Sequence, residues 1–226
     1  MSIGCRIRKN IIRPNKKLIE AFRGIPVANI DDCMNRIACL DANIQPINHT
    51  PLLGVAFTVR CPAGDNLMLH KAMDLAKPGD VIVVAAAGSM SRSICGDIMS
   101  TYCKSRGVVG FIIDGCIRDH DELSAYTDFA VYARGVTPNG PYKNGPGEIN
   151  FPVSVGGIVI TPGDILIGDG DGVVVIRPEE AAGLAKAAAI VHDKEEKQLT
   201  AIRNGKEYPR PFVDEVLKRI NVEYVD

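Results

Sequence analysis

The chain has 226 residues, 46% hydrophobic and 23% charged, which suits one substantial core and excludes several large ones. A formal net charge of -1 leaves no basic excess to draw in nucleic acid or an anionic membrane, and an aromatic share of 5% without tryptophan argues against stacking on single-stranded bases. Seven cysteines, an odd number with no CxxC pair, argue for reduced thiols, and no apolar run approaches the ~20 residues of a membrane span, so a cytoplasmic protein is expected.

In chain order, residues 15–23 predict a helix stopped at Gly24, with Pro26 just beyond, and a second helix is expected from Asn29 to Leu40 with Asp31-Asp32 in its first turn. Leu53 to Arg60 reads as a strand, Pro62-Ala63-Gly64-Asp65-Asn66 as a turn, and Leu67 to Ala76 as a helix. The apolar run Val81 to Ala86 predicts a buried strand because it is short and rich in β-branched residues. The pattern then repeats: Gly96-Asp97 opens a helix to Arg106, Gly107 ends it, and Val108 to Asp114 forms the next buried strand, giving a parallel βαβ unit. Ala130 to Ala133 precedes a Gly/Pro-rich stretch from Gly135 to Gly147, and strands follow near 153–155, 158–160, 165–168 and 173–176. Asp169-Gly170-Asp171-Gly172 reads as a hairpin turn, since the remaining ligands of a calcium loop are missing. A long helix, Pro178 to Asn204, and a short one, Val213 to Ile220, close the chain.

Chemistry concentrates at Asp97 and, after twenty intervening residues, at Arg118-Asp119, in two glycine-flanked segments. Asp119 follows a buried strand, where open α/β sheets place ligands, and its carboxylate suits Mg²⁺ or Mn²⁺, with Asp97 and Glu122 able to hold the metal's waters. Arg118 offers a permanently charged fork for a carboxylate or enolate oxygen. The backbone of Gly96-Asp97-Ile98-Met99 supplies helix-start N–H groups for a small anion. The same three side chains equally suit a helix cap and a surface ion pair.

Other chemistries find less support. His49, His70, His120 and His192 lack HxH or HExxH spacing, Ser89, Ser91 and Ser93 lack a GxSxG elbow, and no GxxxxGK loop is present. Lys104 falls on a helix face and is a poor Schiff-base lysine, while Cys95 and Cys116 beside the site read as small packing residues.

A run of ordered motifs separates the alternatives: Cys61-Pro62-Ala63-Gly64-Asp65-Asn66-Leu67, Pro78-Gly79-Asp80-Val81, Ser91-Arg92-Ser93, Gly96-Asp97, Asp114-Gly115-Cys116-Ile117-Arg118-Asp119, Ala133-Arg134-Gly135-Val136-Thr137-Pro138, Gly145-Pro146-Gly147-Glu148 and Pro162-Gly163-Asp164. Over about Leu53 to Ile176 the chain resembles the 4-hydroxy-4-methyl-2-oxoglutarate and 4-carboxy-4-hydroxy-2-oxoadipate aldolases. These share a fold with the regulator of ribonuclease activity A proteins. The resemblance implies an α/β fold, a phosphohistidine-swivelling-like β/β/α single domain with flanking helices. On that reading residues 1–52 are N-terminal helices packed on the core, 53–177 the core carrying the site, and 178–226 a C-terminal helix and tail at a subunit interface.

It also implies a homotrimer or homohexamer with interfacial active sites, a 2-oxo acid substrate, and Mg²⁺ (or Mn²⁺) as cofactor. In such aldolases the residue matching Asp119 ligates the metal, the one matching Asp97 binds a metal-bound water, and the one matching Arg118 contacts the pyruvyl oxygen. Amides after the Gly96-Asp97 pair, through Ile98 and Met99, hold the pyruvate carboxylate. A glutamate from the neighbouring subunit's C-terminal helix joins the outer metal shell, and Glu195 is the match here, with Glu196 one residue away. The implied activity is a metal-dependent lyase that releases pyruvate from 4-hydroxy-2-oxo acids and decarboxylates oxaloacetate. The alternative is a non-catalytic binding protein like the ribonuclease regulators.

Overall fold

The structure, a computed structural model, describes residues 2–225. Its elements in chain order are β1 (Cys5–Ile7), α1 (Lys16–Glu20), α2 (Val27–Cys33), β2 (Gln45–Pro46), β3 (Leu52–Arg60), α3 (Leu67–Leu75), β4 (Asp80–Cys95), α4 (Asp97–Ser105), β5 (Gly110–Ile117) and α5 (His120–Ser124). They continue with β6 (Ala130–Val136), β7 (Gly147–Ile149), β8 (Val153–Val155), β9 (Ile158–Ile160), β10 (Ile165–Asp169), β11 (Gly172–Ile176), α6 (Ala181–Arg203) and α7 (Pro211–Arg219).

The fold is mixed α/β. One sheet runs β1-β7-β3-β4-β5-β6-β2, with β10 joining β3 on a branch that continues into β11. Strands β3 through β6 are mutually parallel, so their C-terminal ends share one edge of the sheet. Side chains alternate between two buried faces, as a doubly covered sheet requires. Ile82 and Val84 of β4 and Phe111 and Ile113 of β5 pack with Leu69 and Met73 of α3 and Cys103 of α4. Val81, Val83 and Ile112 point the other way, onto Val153, Val155 and Ile160 of the β8-β9 hairpin. Helices, sheet and hairpin thus form the β/β/α layering that the motif resemblance implies. A third apolar cluster joins α1, α2 and the start of α6 to β10 and β11.

Several local outcomes differ from the sequence expectation. The second helix starts two residues earlier, at Val27, behind Pro26, and stops seven residues earlier, because Asn35 and Arg36 take left-handed φ values of 56° and 61°. Freed from the helix, Cys39 bridges to Val174 and Leu40 N–H donates to Val173 O at 2.9 Å. The strand expected over Val81 to Ala86 extends to 16 residues and takes in the serines at 89, 91 and 93. There the register jumps from Ala85↔Asp114 to Ser89↔Gly115 to Ser93↔Cys116, so β4 twice advances four residues for one of β5. Such bulges re-aim a strand's end, here toward the segment Ile94–Asp97. The short elements β1, β2, α5 and β7 carry no periodic signal of their own.

The turn at Asp169 is a hairpin joining β10 and β11, as expected. Both Asp169 carboxylate oxygens accept backbone N–H groups, from Asp171 and from Val27, each at 2.9 Å. All seven cysteines are free thiols. No helix among the described residues is long and apolar enough to cross a membrane.

The chain divides into two compact units, residues 1–189 and 190–226. The first carries the sheet. The second contains the later turns of α6, with Glu195 and Glu196, and the amphipathic helix α7, whose Phe212 and Ile220 are about three-fifths exposed.

Candidate active site

The bulged end of β4 and the end of β5 lie side by side, with Cys95 paired to Ile117. Past these ends the chain must turn, and both turns face one cavity of about 260 Å³. Gly96, Asp97, Ile98 and Met99 line it from the first turn of α4, and Arg118 and Asp119 line it from the link between β5 and α5. The sequence-predicted residues of these two turns therefore converge. Glu122 sits in the first turn of α5 and is not among the lining residues. Glu195 belongs to the C-terminal unit.

Gly96 is required by packing. A Cβ there would overlap Asp119 Oδ2 and stand 3.0 Å from Arg118 Cγ. Asp119 itself holds a left-handed conformation, φ 59° and ψ 44°, which costs an L-residue of this kind about 1 kcal/mol or more and is held by the surrounding contacts. Its backbone carbonyl accepts Leu123 N–H at 3.1 Å, and Arg118 N–H donates to Cys95 O at 3.0 Å. The link is thus tied at both ends.

The carboxylates take up part of the helix start. Asp97 N–H donates to Asp119 Oδ2 at 3.1 Å and Ile98 N–H to Asp97 Oδ1 at 2.6 Å. The Arg118 guanidinium is 3.6 Å from Asp119 Oδ2 by Nε, with its side chain 46% exposed. That is a loose contact, which leaves the rest of the fork open toward the cavity. Asp97 Oδ2 carries no protein hydrogen bond among the described residues.

Three further segments complete the lining: Asn66 and His70 from the start of α3, Ser93 and Ile94 from β4, and Gly140, Pro141 and Lys143 from the Gly/Pro-rich stretch. Burial, then the nearby Lys143 charge, lowers the His70 pKa, and Arg118 and Lys143 are the lysine and arginine side chains in the lining. Asn66 Nδ2 donates to Ile94 O at 2.8 Å, bracing β4 just before the turn, while its buried Oδ1 has no hydrogen-bond partner among the described residues. These residues lack charge spacing or periodicity, so the sequence signalled them only through the Cys61–Leu67 and Ser91–Ser93 motifs, which contain Asn66 and Ser93, and the nearby Gly145–Glu148 motif. Burial pushes the Cys95 and Cys116 thiols up, which fits packing rather than nucleophilic roles.

The donor set also bears on which metal would fit. Among the described residues no three His, Cys, Asp or Glu side chains cluster to hold an ion, which disfavours a zinc-type cage. Two carboxylates line the cavity, Asp119 and Asp97, a donor set that matches a hard cation retaining most of its water.

Comparison with known proteins agrees with this fold. The RraA-like family, described as Aldolase/RraA, matches residues 27–175. A Halalkalibacterium halodurans protein named "Putative 4-hydroxy-4-methyl-2-oxoglutarate aldolase" is 41% identical over 182 residues, 80% of this chain and 86% of that protein. An uncharacterized Pseudomonas syringae protein superimposes with a TM-score of 0.77 at 25% identity, covering 87% of this chain and 97% of its own. Streptomyces coelicolor RraAS2, described as an unusual member of the RNase ES inhibitor RraA protein family, gives 0.72 at 25% identity over 84% of this chain and 100% of its own. The family match spans every strand from β2 to β10 and both turns that build the cavity: the chain belongs to the RraA-like, Aldolase/RraA family.

Proposed function

We propose that the chain is a divalent-metal-dependent lyase that cleaves 4-hydroxy-2-oxo acids, such as 4-hydroxy-4-methyl-2-oxoglutarate or 4-carboxy-4-hydroxy-2-oxoadipate, to pyruvate and a carbonyl product. It would also decarboxylate oxaloacetate. The observation that carries this reading is the convergence of Asp97, Arg118 and Asp119 on one cavity, with the arginine only loosely paired. A surface that acts only by contact with a partner protein has no need of a guanidinium, a helix start and a strained aspartate facing one enclosed space. The relative named as an aldolase supports the same choice.

In this mechanism Asp119 would hold Mg²⁺ or Mn²⁺, with Asp97 on its water shell and Glu195 or Glu196 approaching from a second copy in a homotrimer or homohexamer. The cation supplies a Lewis acid that favours electron density on the 2-oxo group. The start of α4 orients the pyruvyl carboxylate by its helix dipole and backbone N–H groups. Arg118 meets the oxygen on which negative charge grows as the C3–C4 bond breaks, a contact stronger in the transition state than in the bound substrate. Asp97, with Oδ2 open, takes the proton of the 4-hydroxyl through one water and returns it to C3. Oxaloacetate loses carbon dioxide through the same pyruvyl enolate and needs no proton removed from C4.

The test is pyruvate release from both 4-hydroxy-2-oxo acids and from oxaloacetate, with Mg²⁺ present and after chelation. The reading expects pyruvate from at least one substrate, abolished by chelation and restored by Mg²⁺. No pyruvate from any of the three under saturating Mg²⁺ would sink it and favour a binding protein of the kind the S. coelicolor neighbour's description names.

A further inference from the structure

The Ser91-Arg92-Ser93 motif plays no part in the chemistry above, yet the structure gives its arginine an unusual number of partners. Arg92 Nη1 donates to Gly140 O at 2.6 Å and to Asn139 Oδ1 at 3.1 Å, Nη2 donates to Tyr142 Oη at 2.9 Å, and the guanidinium lies 4.0 Å from the Tyr142 ring centroid. Every one of these partners belongs to residues 139–142, a segment without regular structure that forms one wall of the cavity through Gly140 and Pro141. The arginine's neighbours reinforce the grip: Ser93 N–H donates to Asn139 O at 2.8 Å and Asn139 Nδ2 donates to Ser91 O at 2.8 Å. Gly64 leaves room for the Arg92 stem, since a Cβ there would stand 2.8 Å from Arg92 Cδ.

A second set of bonds holds the other end of the wall. Tyr142 N–H donates to Gly64 O and Asn66 N–H to Tyr142 O, while buried Asp65 accepts Asn144 and Gly145 N–H through Oδ2. The wall thus hangs between β4 and the turn before α3, with Arg92 as its only guanidinium clamp among the described residues. At its near end Gly140 faces Arg118, whose Nη1 would lie 3.4 Å from a Cβ at that position. On the proposed lyase reading the ends of β4 and β5 would hold the pyruvyl half of a substrate, and the half beyond C3 would extend along this wall past Gly140.

We infer that Arg92 is a positioning residue that fixes the 139–143 wall and thereby sets how tightly the distal half of the substrate is held. This rests on the proposed lyase reading. Arg92 touches neither the reacting atoms nor Arg118, so its loss should fall on binding more than on turnover. A lysine at position 92 keeps a charge near Tyr142 but cannot reach Gly140, Asn139 and Tyr142 together, since a single ammonium lacks the planar fork.

The experiment compares wild type, Arg92→Lys and Arg92→Ala in two measurements. Hydrogen exchange of residues 139–145 reads the clamp without any activity: protection there should fall at least tenfold in Arg92→Ala, less in Arg92→Lys, with exchange of β4 and β5 unchanged. Unchanged protection at 139–145 overturns the inference even if no substrate is turned over. Steady-state kinetics then reads the consequence: KM for 4-carboxy-4-hydroxy-2-oxoadipate should rise about tenfold or more in Arg92→Ala, kcat should stay within about threefold, and KM for the shorter oxaloacetate should change less. Equal losses on both substrates, or a fall in kcat with KM intact, would show a general structural or catalytic role instead. A wild type silent on every substrate contradicts the lyase reading alone and leaves exchange to decide the clamp.

Discussion

Two aspartates five residues apart, Asp114 within β5 and Asp119 just past its end, each meet an arginine, and the two pairs behave differently. Asp114, buried within the strand, is gripped directly by Arg134 of β6, and both side chains are largely withdrawn from water. Arg118 and Asp119, just past the strand end, meet only loosely, with the arginine side chain nearly half exposed. Both pairs join an aspartate to an arginine, across two strands for Asp114 and between adjacent residues for Asp119, so residue type alone cannot tell them apart. What differs is the environment: inside the sheet the charges must satisfy one another, because leaving one unpaired costs several kcal/mol. At the strand end a cavity replaces the partner, and the charges stay available to a ligand.

That contrast predicts a split between activity and stability. Asp119→Asn should produce the largest effect, a loss of Mg²⁺-supported pyruvate release of about 10³-fold or more with an unchanged melting temperature, read by coupled assay and calorimetry. Arg118→Ala should follow, lowering kcat on the order of 10²–10³ while metal binding persists. Gly96→Ala should lower activity by about 10-fold to 100-fold, because the new methyl displaces Asp119, and should cost about 1–3 kcal/mol in denaturant unfolding. Arg134→Ala should reverse the pattern: a stability loss of about 2–3 kcal/mol from stranding Asp114, with kcat per folded molecule within about threefold of wild type. If Arg134→Ala lost activity as Arg118→Ala does while remaining folded, the division between the pairs would be wrong.

The sequence carried the sheet well because its strands advertise themselves. Val81–Ala86 and Val108–Asp114 are continuous apolar runs, and the residues they bury lie on two faces as such runs demand. It pointed to Asp97, Arg118 and Asp119 because they stand at element boundaries, Asp97 at the start of α4 next to Gly96 and the other two just past the end of β5. It misjudged the exit of α2, where Asn35 and Arg36 adopt backbone conformations that their identities permit but do not require. It also missed the bulges of β4, since register against β5 is a tertiary property that no local pattern encodes. The 139–143 wall was visible only as a Gly/Pro-rich stretch; its role comes from Arg92, 47 residues away from Asn139. The family resemblance, more than spacing, separated a site from a helix cap.

The central claim is that Asp119, and not the neighbouring acid–arginine pair, holds the catalytic cation. Mn²⁺ titration followed by electron paramagnetic resonance, on wild type, Asp119→Asn and Asp114→Asn, tests it without recourse to turnover. The account predicts one Mn²⁺ per site in wild type and in folded Asp114→Asn, and loss of that binding in Asp119→Asn. Undiminished Mn²⁺ binding by folded Asp119→Asn would contradict it.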